Sequence, residues 1–234
     1  MAKRRRVLRA RGLSRDEAAN PALVAAQRAK PVEVYAMPRT CTVQFDPVGT
    51  RRFDSSCDIA KGLLASSGIS YTNRSYTGDK ALIAVGSQQI EVPDGRGLDA
   101  AGLKALREAT GKQLKAALAA EGYPTSADPS RMNLPVIFFW LMVFAVAATA
   151  LYGPQAAALV EMFPTRVRYT AMSLPYHVGT GWIGGFLPVT SFALATITGN
   201  IYASLWYAMF FTAMPILVSL IWLKETRGKS LDAV

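Results

Sequence analysis

The sequence predicts an α-helical membrane protein in which a small α+β soluble domain precedes three transmembrane helices. Residues 1–133 contain 21 Lys and Arg and 13 Asp and Glu in a mixed polar sequence, whereas residues 134–234 contain only 5 and 3. In that second half, residues 134–160 and 169–223 are uncharged runs of 27 and 55 residues. A helix needs about 20 apolar residues to cross ~30 Å of hydrocarbon, so the first run predicts one span and the second predicts two.

We place the transmembrane helices at about 134–162, 170–197 and 201–223, with a short tail after the last one. A buried helix in a soluble core is the other explanation for an apolar run. Such a helix fits about 10–14 apolar residues, and both uncharged runs are much longer. The lipid bilayer is therefore the first predicted partner of the chain.

The residues before the spans divide into three predicted segments. Residues 1–38 predict a basic arm and linker, because three prolines interrupt any helix there. Residues 39–124 predict the α+β domain, and residues 125–133 predict a second linker. Within the domain, apolar spacing predicts a helix at 56–67 and another at 98–120, and strands at 41–45, 69–72, 81–85 and 88–92.

The net charge of +10 raises the question of nucleic-acid binding, since Lys3-Arg4-Arg5-Arg6 would suit phosphate contacts. No recognisable nucleic-acid-binding motif follows this cluster, so we interpret it as a solvated tail and expect no nucleic-acid partner. The sequence also lacks a metal-ligand cluster, a nucleophile triad and a phosphate loop. We therefore expect no metal, no cofactor and no enzymatic activity.

Cys41 and Cys57 are the only two cysteines. A structural disulfide between them would stabilise a domain of this size by roughly 3 kcal/mol, and it would require an oxidising compartment. The alternative is a redox pair, because Cys57 stands at a predicted helix start where thiols become reactive. We favour the disulfide, since no C-x-x-C spacing is present.

The basic residues near the spans predict the orientation of the chain. Arg166 and Arg168 lie between the first two spans, and Lys224, Arg227 and Lys229 follow the last one. The positive-inside rule places these residues in the cytoplasm and the soluble domain in the periplasm or outside the cell. No secretory signal precedes that domain. We therefore expect the chain to be the late part of a longer protein whose earlier spans carry the domain across.

Two motifs in the membrane half carry a resemblance to a known family. Residues 152–170 read YGPQAAALVEMFPTRVRYT, and residues 224–231 read KETRGKSL. The first is similar to the E-x-F-P-T-R-x-R segment of the major facilitator superfamily, and its YGPQ start and RVRYT end resemble the metabolite:proton symporter group. The second is similar to the cytoplasmic ending of the same proteins.

This resemblance implies that residues 134–231 are spans ten to twelve of a twelve-span major facilitator fold in a bacterial-type inner membrane. The α+β domain would be an extracytoplasmic insertion before span ten. The implied activity is proton-coupled symport of a small organic solute, of the organic acid, amino acid or betaine class. The implied partners are that solute, the proton and the missing N-terminal spans.

Three residues of the spans are candidates for the substrate and proton pathway. Tyr152 and Gln155 flank Gly153-Pro154, where a missing backbone hydrogen bond predicts local unwinding. His177, the only histidine, lies about 13 Å along a helix from Arg168, inside the membrane. Each residue could instead make only local hydrogen bonds.

Glu161, Arg166 and Arg168 are close enough in sequence to form a charge pair that gates the cytoplasmic side. The alternative is ordinary anchoring at the membrane interface. Gly181 and Gly185 have the G-x-x-x-G spacing that lets helices approach closely.

Two other functional interpretations stay open at this point. The chain could be a membrane-anchored periplasmic binding or interaction module without transport activity, in which the α+β domain is the working part. It could also be an envelope redox enzyme that uses Cys41 and Cys57. Reactive free thiols would favour the redox enzyme, and an inert disulfide would exclude it.

Overall fold

The structure is a computed structural model that describes residues 19–124 and 126–222. The basic cluster at residues 3–6 and the KETRGKSL segment lie outside the described residues. Two compact units are present. Among the described residues, the first joins the chain from residue 19 to residue 137 with residues 189–204, and the second joins residues 138–188 with residues 205–222.

A four-stranded mixed sheet with the strand order β2-β1-β3-β4 organises the first unit. Its strands are β1 (Val32–Ala36), β2 (Tyr71–Ser75), β3 (Leu82–Val85) and β4 (Gln88–Glu91). β1 and β2 are parallel, so the chain crosses between them through helix α2 (Ser56–Ser66), and the other pairs are antiparallel. Val32 pairs with Tyr71 on one side and with Val85 on the other.

The prediction of a linker up to residue 38 was wrong for its last part, because Val32–Ala36 forms the central strand β1. The residues Val-Glu-Val-Tyr-Ala alternate between buried and half-buried positions, which is the pattern of a strand with one face on a core. The flanking prolines, Pro31 and Pro38, lie outside the hydrogen-bonded ladder. Before the strand, helix α1 (Pro21–Ala29) begins at Asn20, whose side chain accepts from Leu23 N at 3.1 Å.

The prediction of a strand at residues 41–45 was also wrong. The backbone N–H of Thr42 donates to the Asp58 carboxylate at 2.8 Å, and the Gln44 side chain donates to the Asp58 carbonyl at 2.6 Å. This segment therefore binds the start of helix α2 rather than a neighbouring strand. Alternation alone predicted its extended form and could not reveal its partner.

The two predicted helices of the domain are confirmed, as α2 (Ser56–Ser66) and α3 (Ala100–Ala120). Ser55 and Asp99 cap them, each accepting from a backbone N–H three residues later. β2, β3 and β4 lie close to the predicted positions, and Gly86 with φ +57° forms the hairpin turn between β3 and β4. The core consists of inward side chains from these elements, including Val34, Ile59, Leu64, Ile83, Val85 and Leu114.

The predicted disulfide between Cys41 and Cys57 is confirmed, with the two Cα atoms 5.2 Å apart. Cys57 lies in the first turn of α2 and is 1% exposed. The bond therefore joins the irregular segment after β1 to the buried start of the crossover helix.

Glu121, just after α3, joins three parts of the domain. Its carboxylate accepts from Lys30 Nζ at 2.6 Å, from Ser87 Oγ at 2.5 Å and from Ser87 N at 3.0 Å. The bond from Lys30 is the largest cause, and together these bonds lower the pKa of Glu121 from 4.5 to about 2. The carboxylate thus connects the start of β1, the β3–β4 turn and the end of α3.

Three helices are long and apolar enough to cross a membrane, at Leu134–Glu161, Arg168–Thr198 and Ile201–Trp222. The first is helix α4, which is continuous from Leu134 to Glu161, so the predicted unwinding at Gly153-Pro154 is wrong. The irregular backbone lies instead in the second span. There, α5 (Arg168–His177) passes into a π-helix at Val178–Gly184 and continues as α6 (Leu187–Thr198). The third span ends with α7 (Leu205–Trp222).

The α+β domain contacts the hairpin between the second and third spans, within the first unit. The Tyr71 hydroxyl donates to the Thr196 carbonyl at 2.7 Å, and the Tyr71 N–H donates to the Gly199 carbonyl at 2.7 Å. Asn73 Nδ2 donates to the Ile197 carbonyl at 3.1 Å. Tyr71 and Thr196 are buried, so this hairpin covers the start of β2, whereas residues 72–75 of the strand are exposed.

Replacing both cysteines with serine should lower the free energy of unfolding of the domain by about 3 kcal/mol, because the disulfide limits the unfolded chain. Hydrogen exchange of domain peptides in lipid nanodiscs, measured across a urea series, gives this value. Dithiothreitol should produce the same loss in the wild-type chain and none in the variant. Equal urea midpoints for wild type and variant would contradict a stabilising role.

The Glu121 contacts predict a pH-dependent stability. Because the folded pKa lies below the ordinary value, the stabilisation is complete above pH 4.5 and is lost as the pH falls from 4.5 towards 2. Glu121→Gln should therefore lower the melting temperature at pH 7, and its difference from wild type should shrink towards pH 2. Glu108→Gln, at an exposed position of α3, is the control. The assignment would be disproved if the difference in melting temperature between Glu121→Gln and wild type stayed constant with pH.

Gly199→Ala should detach the hairpin from β2. Gly199 has φ +73°, and an added Cβ would collide with the Tyr71 carbonyl oxygen. Gly49→Ala is a matched control, because Gly49 has φ +75° and no atom within 4 Å of its added Cβ. Backbone strain costs about 1–2 kcal/mol in either variant, but only Gly199→Ala should speed exchange of the Tyr71 amide. If the Tyr71 amide is equally protected from hydrogen exchange in both variants, the contact between Gly199 and Tyr71 is contradicted.

Candidate functional site

A cavity of about 400 Å³ lies between α4 and α5 in the second unit. All three residues predicted for the substrate and proton pathway line it: Tyr152 and Gln155 from α4 and His177 from α5. The structure therefore brings together residues that are 22 or more positions apart in sequence. The remaining lining residues are Leu159, Tyr169, Met172, Ser173 and Tyr176.

The contacts of His177 with Ser173 favour one tautomer of the imidazole ring. Nδ1 lies 2.8 Å from the carbonyl oxygen of Ser173 and 3.2 Å from the Ser173 hydroxyl. A carbonyl oxygen can only accept, so Nδ1 carries hydrogen and donates. In the neutral ring, Nε2 is then the nitrogen with a free lone pair, and it is the atom that can take up a proton.

The π-helix follows directly after His177. It contains Gly179, Gly181 and Gly184, and a Cβ added at Gly185 would collide with the Gly181 carbonyl oxygen. The Tyr207 hydroxyl of α7 donates to the Ile183 carbonyl at 3.0 Å. Irregular backbone inside a membrane needs such partners, because lipid supplies none. Single-turn π segments of this kind are frequent at functional sites.

The residues predicted as a charge gate lie at the turn between α4 and α5. Glu161 is the last residue of α4, Arg168 is the first residue of α5, and Arg166 lies in the connecting loop. The Arg168 Nε donates to the Phe163 carbonyl at 3.1 Å, which holds the guanidinium against this turn. Its Nη2 is buried and has no hydrogen-bond partner among the described residues. The pairing with Glu161 stays a prediction.

Sequence reasoning missed four residues of α5 that line the cavity. Tyr169, Met172, Ser173 and Tyr176 recur at intervals of three and four, which places them on one face of α5 together with His177. That spacing was available in the sequence. The glycines after His177 were interpreted only as a close-packing motif, although they also permit the π-helix.

Residues 115–234 match the family described as Sugar (and other) transporter, which is just over half of the chain. The chain belongs to this family of the major facilitator superfamily. The resemblance recognised at residues 152–170 is therefore confirmed at the family level, as are the α-helical membrane fold and the small sheet region before it.

Several curated relatives resemble a part of this family member. The glycine betaine/proline/ectoine/pipecolic acid transporter of Dickeya dadantii is 31% identical over 96 residues, which is 41% of this chain and 19% of the relative. The citrate-proton symporter of Klebsiella pneumoniae is 37% identical over 87 residues, 37% of this chain and 18% of the relative. The citrate-proton symporter of Salmonella typhi is 31% identical over 85 residues, which is 36% of this chain and 19% of the relative.

The matched part of this chain thus spans about a fifth of the length of these relatives. No solved structure matches the chain significantly. As a member of a transporter family with three candidate spans, the chain is a multi-pass membrane protein.

Proposed function

We propose that the chain forms the last three spans of a proton-coupled secondary transporter for a small organic solute of the organic acid, amino acid or betaine class. The observation that carries this proposal is the convergence of Tyr152, Gln155 and His177 on one cavity. A phenol, an amide and an imidazole can hold a polar solute inside a largely apolar wall. The printed names of the relatives, which are transporters of betaine and proline and symporters of citrate with protons, support the same class.

His177 is the proposed proton carrier. Its Nδ1 is occupied by the Ser173 carbonyl, so uptake and release occur at Nε2. An ionisable side chain inside a span is costly to maintain, which favours a functional role. Neighbouring Tyr176, with ring centroids 5.8 Å apart and near-perpendicular planes, helps to fix the imidazole orientation.

The cavity supports the proposal that further spans complete the transporter. Tyr152 is 72% exposed, and Gln155 and His177 are also exposed on the described spans. Facing lipid, the Tyr152 hydroxyl, the Gln155 amide and the second ring nitrogen of His177 would have no water to bond, and an unpaired polar group in hydrocarbon costs roughly 2–7 kcal/mol. Additional helices that cover the cavity would remove this cost. Genomic DNA upstream of Met1 that encodes such spans would support this part of the proposal.

We further propose that the α+β domain is extracytoplasmic and that the turn with Glu161, Arg166 and Arg168 lies in the cytoplasm of a bacterial-type inner membrane. The disulfide supports this orientation, because such bonds persist in oxidising compartments. The arginines support it through the positive-inside rule. In this orientation a Glu161–Arg168 pair would close the cytoplasmic side and break when the cavity opens inwards.

The alternative is a membrane-anchored binding or interaction module. It is favoured by the first unit, in which the α+β domain has its own core and disulfide. A redox enzyme is disfavoured, because Cys57 is bonded and almost fully buried.

The transport proposal predicts a separation of exchange from accumulation. In proteoliposomes containing the chain together with its further spans, His177→Gln should keep solute exchange and lose accumulation driven by a pH gradient, because the amide cannot carry a proton. Uptake of labelled betaine, proline and citrate measures both activities. A loss of at least about 100-fold in accumulation is expected for a coupling residue.

Tyr176→Phe is the matched control, since it keeps the neighbouring ring beside the imidazole and should leave accumulation within a few-fold of wild type. Proton-driven accumulation that persists in His177→Gln would overturn the proton role. If no solute is exchanged by wild type, the anchored-module alternative would replace the transporter.

A further inference from the structure

A groove of about 780 Å³ between α2 and α3 carries a strong excess of positive charge. Six cations line it, against the single carboxylate of Glu108: Arg51, Arg52, Lys104, Arg107, Lys112 and Lys115. All of them belong to the α+β domain, so the groove is separate from the cavity between the spans.

The floor of this groove is apolar. Leu103 is buried, and Phe53 and Leu63 are half-buried. The groove has the size and the mixed lining of sites that take small molecules, which are typically about 300–1,000 Å³ with a few convergent polar groups. A ligand that fits this lining has a hydrocarbon body and negative charges at its rim.

Half of the cations have partners within the domain. Arg107 donates to the Phe53 carbonyl at 2.6 Å, Arg52 contacts the Leu98 carbonyl and Asp54, and Lys104 lies 4.0 Å from Glu108. Arg51, Lys112 and Lys115 form no ion pair within residues 19–124 and 126–222. Their charge is therefore available to a ligand.

Helix stability does not account for this arrangement. Lys104 and Arg107, and again Lys112 and Lys115, stand three residues apart on α3, where like charges repel. The cationic wall extends about 16 Å along the helix. The like-charge spacing slightly disfavours the helix, so helix stability alone does not explain the clustering. Arg107, held by the Phe53 carbonyl, is oriented in advance along the groove.

We propose that this groove binds a small organic anion with two or more carboxylates on a hydrocarbon body. Arg107 is placed to grip one carboxylate at the floor, and Arg51 and Lys112 to bind another at the rim. A polymeric phosphate would leave the apolar floor unused, so we favour a carboxylate ligand. This proposal does not rest on the transport proposal, because binding to the groove can be measured without any movement of solute across the membrane.

Isothermal titration of the full chain in phosphatidylcholine nanodiscs tests the site, with tricarballylate as the probe in 150 mM NaCl. Arg51→Gln/Lys112→Gln should weaken binding by at least about tenfold, since it removes two charge-assisted contacts. Arg74→Gln/Lys80→Gln removes the same charge outside the groove and should stay within about twofold of wild type. The trimethyl ester of tricarballylate, which carries no charge, should not bind.

Several results would overturn the proposal: no tricarballylate binding by wild type, equal losses in the two double variants, or inorganic phosphate binding as tightly as tricarballylate. The melting temperature of each variant shows whether the domain is folded. Arg51 and Lys112 are exposed, so their replacement should leave it unchanged. Chemical acetylation of the groove lysines separates the two sources of anion. If phosphatidylglycerol protects these lysines from acetylation and tricarballylate does not, the groove binds lipid headgroups instead.

Discussion

The bilayer interior offers no hydrogen-bond partner to a peptide group, and the membrane half of this chain depends on that constraint. It requires continuous helices, and α4 remains helical even across Pro154. The second span departs from the rule only where the chain supplies a substitute, as at Ile183, whose carbonyl accepts from Tyr207. A neighbouring helix thus satisfies one carbonyl of the π-helix, which lies directly after the imidazole-bearing residue of the cavity.

The soluble domain obeys a comparable constraint at the start of α2. Ser55 caps the helix, Ser56 accepts from Ala81 N and donates to the Val92 carbonyl, and Asp58 receives the backbone of Thr42. These buried polar groups are all paired, as burial demands. The start of this helix therefore joins the crossover, the β3–β4 hairpin and the segment that carries Cys41.

The sequence allowed the membrane spans, the disulfide, α2 and α3 to be predicted, because length, charge and apolar spacing are local signals. It misplaced the centre of the sheet. Val32–Ala36 alternates like a strand, but its flanking prolines suggested a linker, and only pairing with both β2 and β3 reveals its role. Tyr152, Gln155 and His177 could be selected by residue type, whereas their meeting across two helices depends on tertiary packing. The groove cations escaped notice because Arg51 and Lys112 lie far apart in sequence.

The contact between β2 and the hairpin of the last two spans affects how the α+β domain would behave as a separate fragment. β4, at the opposite edge, carries Gln88, Gln89 and Glu91, polar side chains that discourage strand addition. β2 instead relies on carbonyls from residues 197 and 199 to occupy its outer side. A soluble fragment ending at residue 133 would also uncover the start of the strand, including the buried ring of Tyr71. Such a fragment would self-associate more readily through its strand edge. The hairpin between the last two spans therefore helps to prevent aggregation of the domain.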